Sequence, residues 1–252
     1  MDGTLPTGRH LPLSVLLAFS LAASCLVGCS GFHGTTAASF LRKVREDPDP
    51  NTRYIAYHKL ASPLCYEDEA QIKEAVTTLV NKLEHGSEPV ATRAVICKTL
   101  GELRDPAARD ALLKCVSDSE GMIRAQACRS LGLVGKPEDA TTLARIMNVD
   151  TLEDCRIAAI EGLGSLRSKD PRILSVLVEG MEHNDPAIRL ASLNALRATT
   201  DQDLGVEAGP WRKEIERMTG TLPTTQPSPP ANNGPSAAFT TPAPPTLPPA
   251  LP

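Results

Sequence analysis

The chain has 252 residues, 26 basic against 30 acidic for a net charge of −4, and only 3% of them are aromatic. That mild acidity argues against the basic face of a nucleic-acid binder. No Cys-x-x-Cys, Gly-x-Ser-x-Gly, His-Glu-x-x-His, phosphate loop or dinucleotide fingerprint points to redox, hydrolytic, zinc or nucleotide chemistry.

Arg9 and His10 precede an apolar run of 18 residues, Leu11 to Gly28, that ends in Leu26-Val27-Gly28-Cys29. This ending resembles the bacterial lipobox. The resemblance implies that residues 1–28 are a lipoprotein signal peptide and that the Cys29 thiol takes the lipid after cleavage. Two other readings stay open at this point. An uncleaved membrane helix usually needs about 20 apolar residues, and this run is shorter and contains Pro12. A plain signal peptide would be cut after a small residue. Ser30 follows Cys29 in place of an aspartate, which by the same resemblance favours the outer membrane. The expected address is therefore an exported lipoprotein facing the periplasm or cell surface, with residues 29–38 as a lipidated tether.

Residues 39–200 are organised by one repeated pattern. An arginine is followed three residues on by a small or apolar residue and seven on by leucine: Arg53-Ala56-Leu60, Arg93-Ile96-Leu100, Arg124-Ala127-Leu131, Arg156-Ala159-Leu163 and Arg189-Ser192-Leu196. The arginines are 40, 31, 32 and 33 residues apart, a period that means stacked repeats. Offsets of 0, +3 and +7 share one helical face. Position +4 extends that face with Tyr57, Cys97, Cys128, Ile160 and Leu193. A first apolar helix precedes each such helix, beginning with the short Phe40-Leu41-Val44 and continuing with Ile72-Val76-Leu79-Leu83. One hairpin cannot bury its own apolar face, so neighbours must stack. Asp47-Pro48-Asp49-Pro50, Asp105-Pro106, Asp170-Pro171 and Asn184-Asp185-Pro186 supply caps and first-turn prolines between helices. Residues 62–69, an insertion in the first unit, are expected to form a loop.

Asp185-Pro186-Ala187-Ile188-Arg189 with Ser192 and Leu196, and Ile123-Arg124 with Ala127, Leu131 and Gly132, resemble the second-helix signature of HEAT-like repeats. The resemblance implies an all-α, right-handed α-solenoid of about five helical hairpins. It also implies a structural ladder in which Arg53, Arg93, Arg124, Arg156 and Arg189 meet acidic groups of neighbouring turns, so that losing Arg156 would destabilise the array. Glu120 and Asp185, each four residues before an arginine, are the local partners that helix geometry suggests. In the family the second helices line the concave surface. Position +5 would then form a polar stripe of His58, Lys98, Arg129, Glu161 and Asn194, basic in its middle, as the candidate partner-binding face.

Residues 201–218 form the expected C-terminal cap, with Trp211 covering the last helix pair or else stacking on a ligand. In residues 219–252, 11 of the 34 are proline and none is charged. That composition predicts a disordered Pro/Thr/Ala-rich tail that serves as a spacer, a proline-rich ligand or a glycosylation substrate. Cys65, Cys97, Cys115, Cys128 and Cys155 cannot all pair. The equivalent Cys97 and Cys128 should lie farther apart than a disulfide spans, since packed helices are about 8–10 Å apart.

Together these readings predict a non-catalytic, monomeric, lipid-anchored scaffold for a protein or peptide partner, with no cofactor, metal or nucleic acid. The alternatives are an enzyme of the HEAT-like bilin lyase type and a structural envelope spacer.

Overall fold

The computed structural model describes residues 35–85 and 87–220. Cys29, the 1–28 segment and residues 221–252 of the tail lie outside the described residues. Within them the chain is all-helical, with no strand.

Five helical hairpins follow one another. Their first helices are α1 (Ala37–Glu46), α3 (Glu69–His85), α5 (Arg109–Cys115), α7 (Ala140–Val149) and α9 (Pro171–Gly180). Their second helices are α2 (Pro50–Lys59), α4 (Val90–Leu103), α6 (Gly121–Val134), α8 (Glu153–Leu166) and α10 (Pro186–Thr200). First helices pack on first helices and second on second, so the core runs without a break along the stack. Each second helix buries its +3, +4 and +7 residues, as the spacing requires. The caps act locally: Asp49 accepts from the Asn51 and Thr52 amides, Asp170 from Arg172, and Asp185 from Ala187. The 62–69 insertion is partly helical, with a 3-10 turn at Pro63–Cys65 pinned by Tyr66 Oη donating to the Leu60 carbonyl at 2.6 Å.

The glycine after the repeat leucine has a packing reason. A Cβ at position 132 would lie 2.5 Å from the Gly162 carbonyl oxygen, and one at position 101 would lie 2.6 Å from Ser130 Oγ. The second helices therefore approach backbone to backbone, and the facing position is small in each unit: Ser130, Gly162 and Ala195.

The stack ends on α11 (Ala208–Thr219), which packs against α9 and so occupies the place of a sixth first helix. Trp211 is 0% exposed, and its Nε1 donates to the Gly205 carbonyl at 2.9 Å. It caps the core and offers no face to a ligand.

Candidate functional site

The repeat arginines hold the hairpin turns together. Arg53 Nη1 donates to the carbonyls of Asp47 and Pro48 in its own turn, at 2.9 and 3.0 Å. Its Nε and Nη2 reach into the next unit and hold Glu88 from both oxygens, at 2.8 and 3.0 Å. Arg124 repeats the pattern: its Nη1 takes the Asp118 and Ser119 carbonyls, while Nε and Nη2 hold Asp150 at 2.8 and 2.9 Å. Arg93 reaches Asp118 at 2.5 Å. The forked guanidinium–carboxylate pairs of Arg53 and Arg124 are the strong form of the interaction; Arg93 uses Nη2 alone.

The electrostatics follow this geometry. The hydrogen bond from Arg124 dominates at Asp150 and holds its carboxyl below the usual range despite burial. At Glu88 burial alone would raise the carboxyl, but hydrogen bonds from Arg53 and Tyr57 outweigh it and the net shift is downward.

The ladder has different partners from those local spacing suggests. Arg124 pairs with Asp150 and makes no ion pair with Glu120, and Arg189 bonds only the His183 and Asn184 carbonyls. The guanidiniums of Arg53, Arg93 and Arg124 reach instead to a carboxylate of the following turn. Arg156 takes the Asp150 carbonyl at 3.0 Å and makes no ion pair with a carboxylate, although Glu153 on its own helix lies near enough to interact with its charge; its Nε is buried without a hydrogen bond. A second link joins first helices, where Arg109 grips Asp139 from Nε and Nη2 at 2.7 and 2.5 Å.

The +5 residues lie on the second-helix face, divided between two grooves. Lys98 and Arg129 line the first, of about 650 Å³, and Glu161 and Asn194 line the second, of about 510 Å³. His58 is exposed and lines neither. The basic middle expected of the stripe is largely neutralised, because Arg129 Nε donates to Glu161 at 2.5 Å and Lys98 stands 3.6 Å from Glu102.

The apolar part of the first groove was not foreseen. Tyr54, Met122 and Leu152, which line it, are 40, 60 and 47% exposed. They stand one after, two before and four before the repeat arginines, off the buried face. Large apolar residues at those offsets were the available signal.

A concavity of about 720 Å³ between α1 and α3 is lined by polar and charged side chains, with Arg45 bonded to Glu74 at 2.6 Å across it. The five cysteines of the described residues are unpaired and buried. Cys97 neighbours Cys115 of the next first helix; their thiol–thiol hydrogen bond raises Cys97 and lowers Cys115, while burial pushes Cys128 up to about 12. Among the described residues no cluster of three or more His, Cys, Asp or Glu side chains could hold a metal ion. No helix among them is long and apolar enough to cross a membrane.

Residues 76–164 match the family profile of HEAT repeats. Among solved structures, the complex of CpcE and CpcF of phycocyanin lyase from Nostoc sp. PCC7120 is similar, with a TM-score of 0.55 and 16% identity, covering 85% of this chain and 76% of that one. No curated protein matches the chain.

Proposed function

We propose that this HEAT-like solenoid is a non-catalytic scaffold that binds a protein or peptide partner along its second-helix face. The observation that carries the reading is the first groove, where Tyr54, Met122 and Leu152 leave apolar surface exposed between units while the core beneath is closed. Exposed apolar surface of this kind in a groove rimmed by polar groups marks an interaction site. Lys98 stands at the rim but pairs with Glu102 at 3.6 Å, and Asp154 also lines the groove, so the apolar residues and not a free positive charge carry the reading. The chain is further proposed to be exported and held at a bacterial membrane through lipid on Cys29, which would confine the groove to a membrane plane.

Crosslinking in intact cells tests this reading, with wild type run beside a Met122→Glu/Leu152→Glu double variant and a variant with His58, Lys98, Arg129 and Glu161 changed to alanine. Both double-variant positions are exposed, so the fold should survive. A partner retained by all three forms argues against the groove. No partner from any form favours a structural envelope spacer.

A second reading, an enzyme of the bilin lyase type, draws on the fold likeness to the phycocyanin lyase complex. Transfer of an open-chain tetrapyrrole to an acceptor cysteine in the presence of this chain would favour it over the scaffold.

A further inference from the structure

The gap in the arginine ladder has a specific chemistry. Six residues before the arginines stand Asp47, Asp118, Asp150 and His183 in the first, third, fourth and fifth units. Each does the same local job. Asp47 accepts from the Asp49 amide at 2.9 Å, Asp118 from Glu120 at 3.0 Å, Asp150 from Leu152 at 3.0 Å, and His183 Nδ1 from Asp185 at 3.0 Å. Asp118 and Asp150 also give their carboxylates to the arginine of the preceding unit. His183 shapes the turn in the same way but brings no carboxylate to Arg156.

A cavity of about 360 Å³ stands there, lined by Arg156 and His183 among others. The Arg156 Nε is buried and unpartnered; Arg93 Nε is so too, but Arg93 still holds Asp118 through Nη2, whereas Arg156 makes no ion pair. With Nδ1 accepting from the Asp185 amide, Nε2 of the His183 ring is a second donor. Glu179 also lines the cavity but makes no ion pair with Arg156, Glu182 is engaged by Arg212, and Glu153, which interacts with Arg156 only at longer range, shares a hydrogen bond with Asp185. Asn148 adds an amide, and Val176 and Ile188 supply apolar walls.

We propose that this gap is a carboxylate-binding site. A carboxylate from outside the chain takes the place that Asp150 fills for Arg124, with Arg156 as the forked donor and His183 as the second donor. The carboxylate is either a free small acid or the side chain of an aspartate or glutamate on a partner. The site is separate from the second-helix groove and stands or falls without it.

Acetate is the probe, titrated into the full chain against chloride at equal ionic strength and followed by the arginine Nε–H resonances in ¹H–¹⁵N spectra. Arg156→Lys identifies the Arg156 signal. The expected result is a saturable shift of that one signal with acetate and none with chloride.

His183→Asp supplies the missing rung from within. It should raise Tm by roughly 2–4 °C and weaken acetate binding at least about tenfold. Glu179→Gln should leave binding intact or tighter. A capped peptide with one central aspartate, beside its asparagine counterpart, separates the sources. Peptide binding tighter than acetate assigns the site to a partner side chain, and acetate binding alone assigns it to a small acid.

The proposal is overturned if the Arg156 signal ignores acetate or responds equally to chloride. It is also overturned if His183→Asp binds acetate as wild type does, or if Glu179→Gln abolishes binding.

Discussion

Arg156 shares its cavity with His183 one unit beyond the equivalent place where Arg124 grips Asp150. One substitution in the turn register thus separates a closed rung from an open one.

The rungs should therefore differ in worth. Arg124→Ala leaves the nearly buried Asp150 with the Leu152 amide and the weak Cys155 thiol as donors and no counter-charge, and should cost about 2–3 kcal/mol. Arg156→Ala loses a single carbonyl bond and should cost about 1 kcal/mol. Urea unfolding of the two variants checks the order, and equal losses would refute the open rung.

The same rungs set the response to acid. Asp150 and Glu88 are held below their unfolded values of about 3.9 and 4.3. A depressed carboxylate contributes stability that is fully present above its unfolded pKa and is lost as pH falls through the folded one. Stability should stay level from about pH 7 to 5 and then fall below about pH 4. Asp150→Asn should be less stable at neutral pH and show a shallower acid slope. Denaturant midpoints across that range provide the measurement.

Gly132 tests the close approach of the second helices. Gly132→Ala forces a methyl against the Gly162 backbone, 2.5 Å from its oxygen, where neither side is a flexible side chain. A loss of about 1–3 kcal/mol is expected from such overpacking. A Tm unchanged from wild type would show that α6 and α8 can separate without cost.

The proposed membrane attachment rests on Cys29, which lies outside the described residues. Cys29→Ala should release the protein from membranes into the soluble fraction. Retention in the membrane pellet after a carbonate wash would instead favour an apolar run that spans the bilayer.

Much of the fold was legible because helix period and caps are local. The arginine, +3, +4 and +7 spacing marked each second helix, and Asp49, Asp170 and Asp185 marked where helices begin. The partners across units were not legible in the same way. Glu120 and Asp185 look right for a single helix, but the register of stacking brings Asp150 to Arg124 and the His183 ring to Arg156. The candidate stripe at +5 lies on the second helices, yet Arg129 pairs with Glu161 and the exposed apolar residues sit at other offsets. Pattern alone reports which face is buried. Which exposed residues share a groove depends on the rise and turn from one unit to the next.

The most direct test of the scaffold reading places a photo-crosslinking side chain at position 122 in intact cells, with the same group at Thr77 on the α3 surface as comparison. One dominant adduct from position 122, absent from position 77 and lost when Leu152→Glu is added, is the predicted result. No adduct at position 122, or the same adducts from both positions, would contradict a partner-binding groove on the second helices.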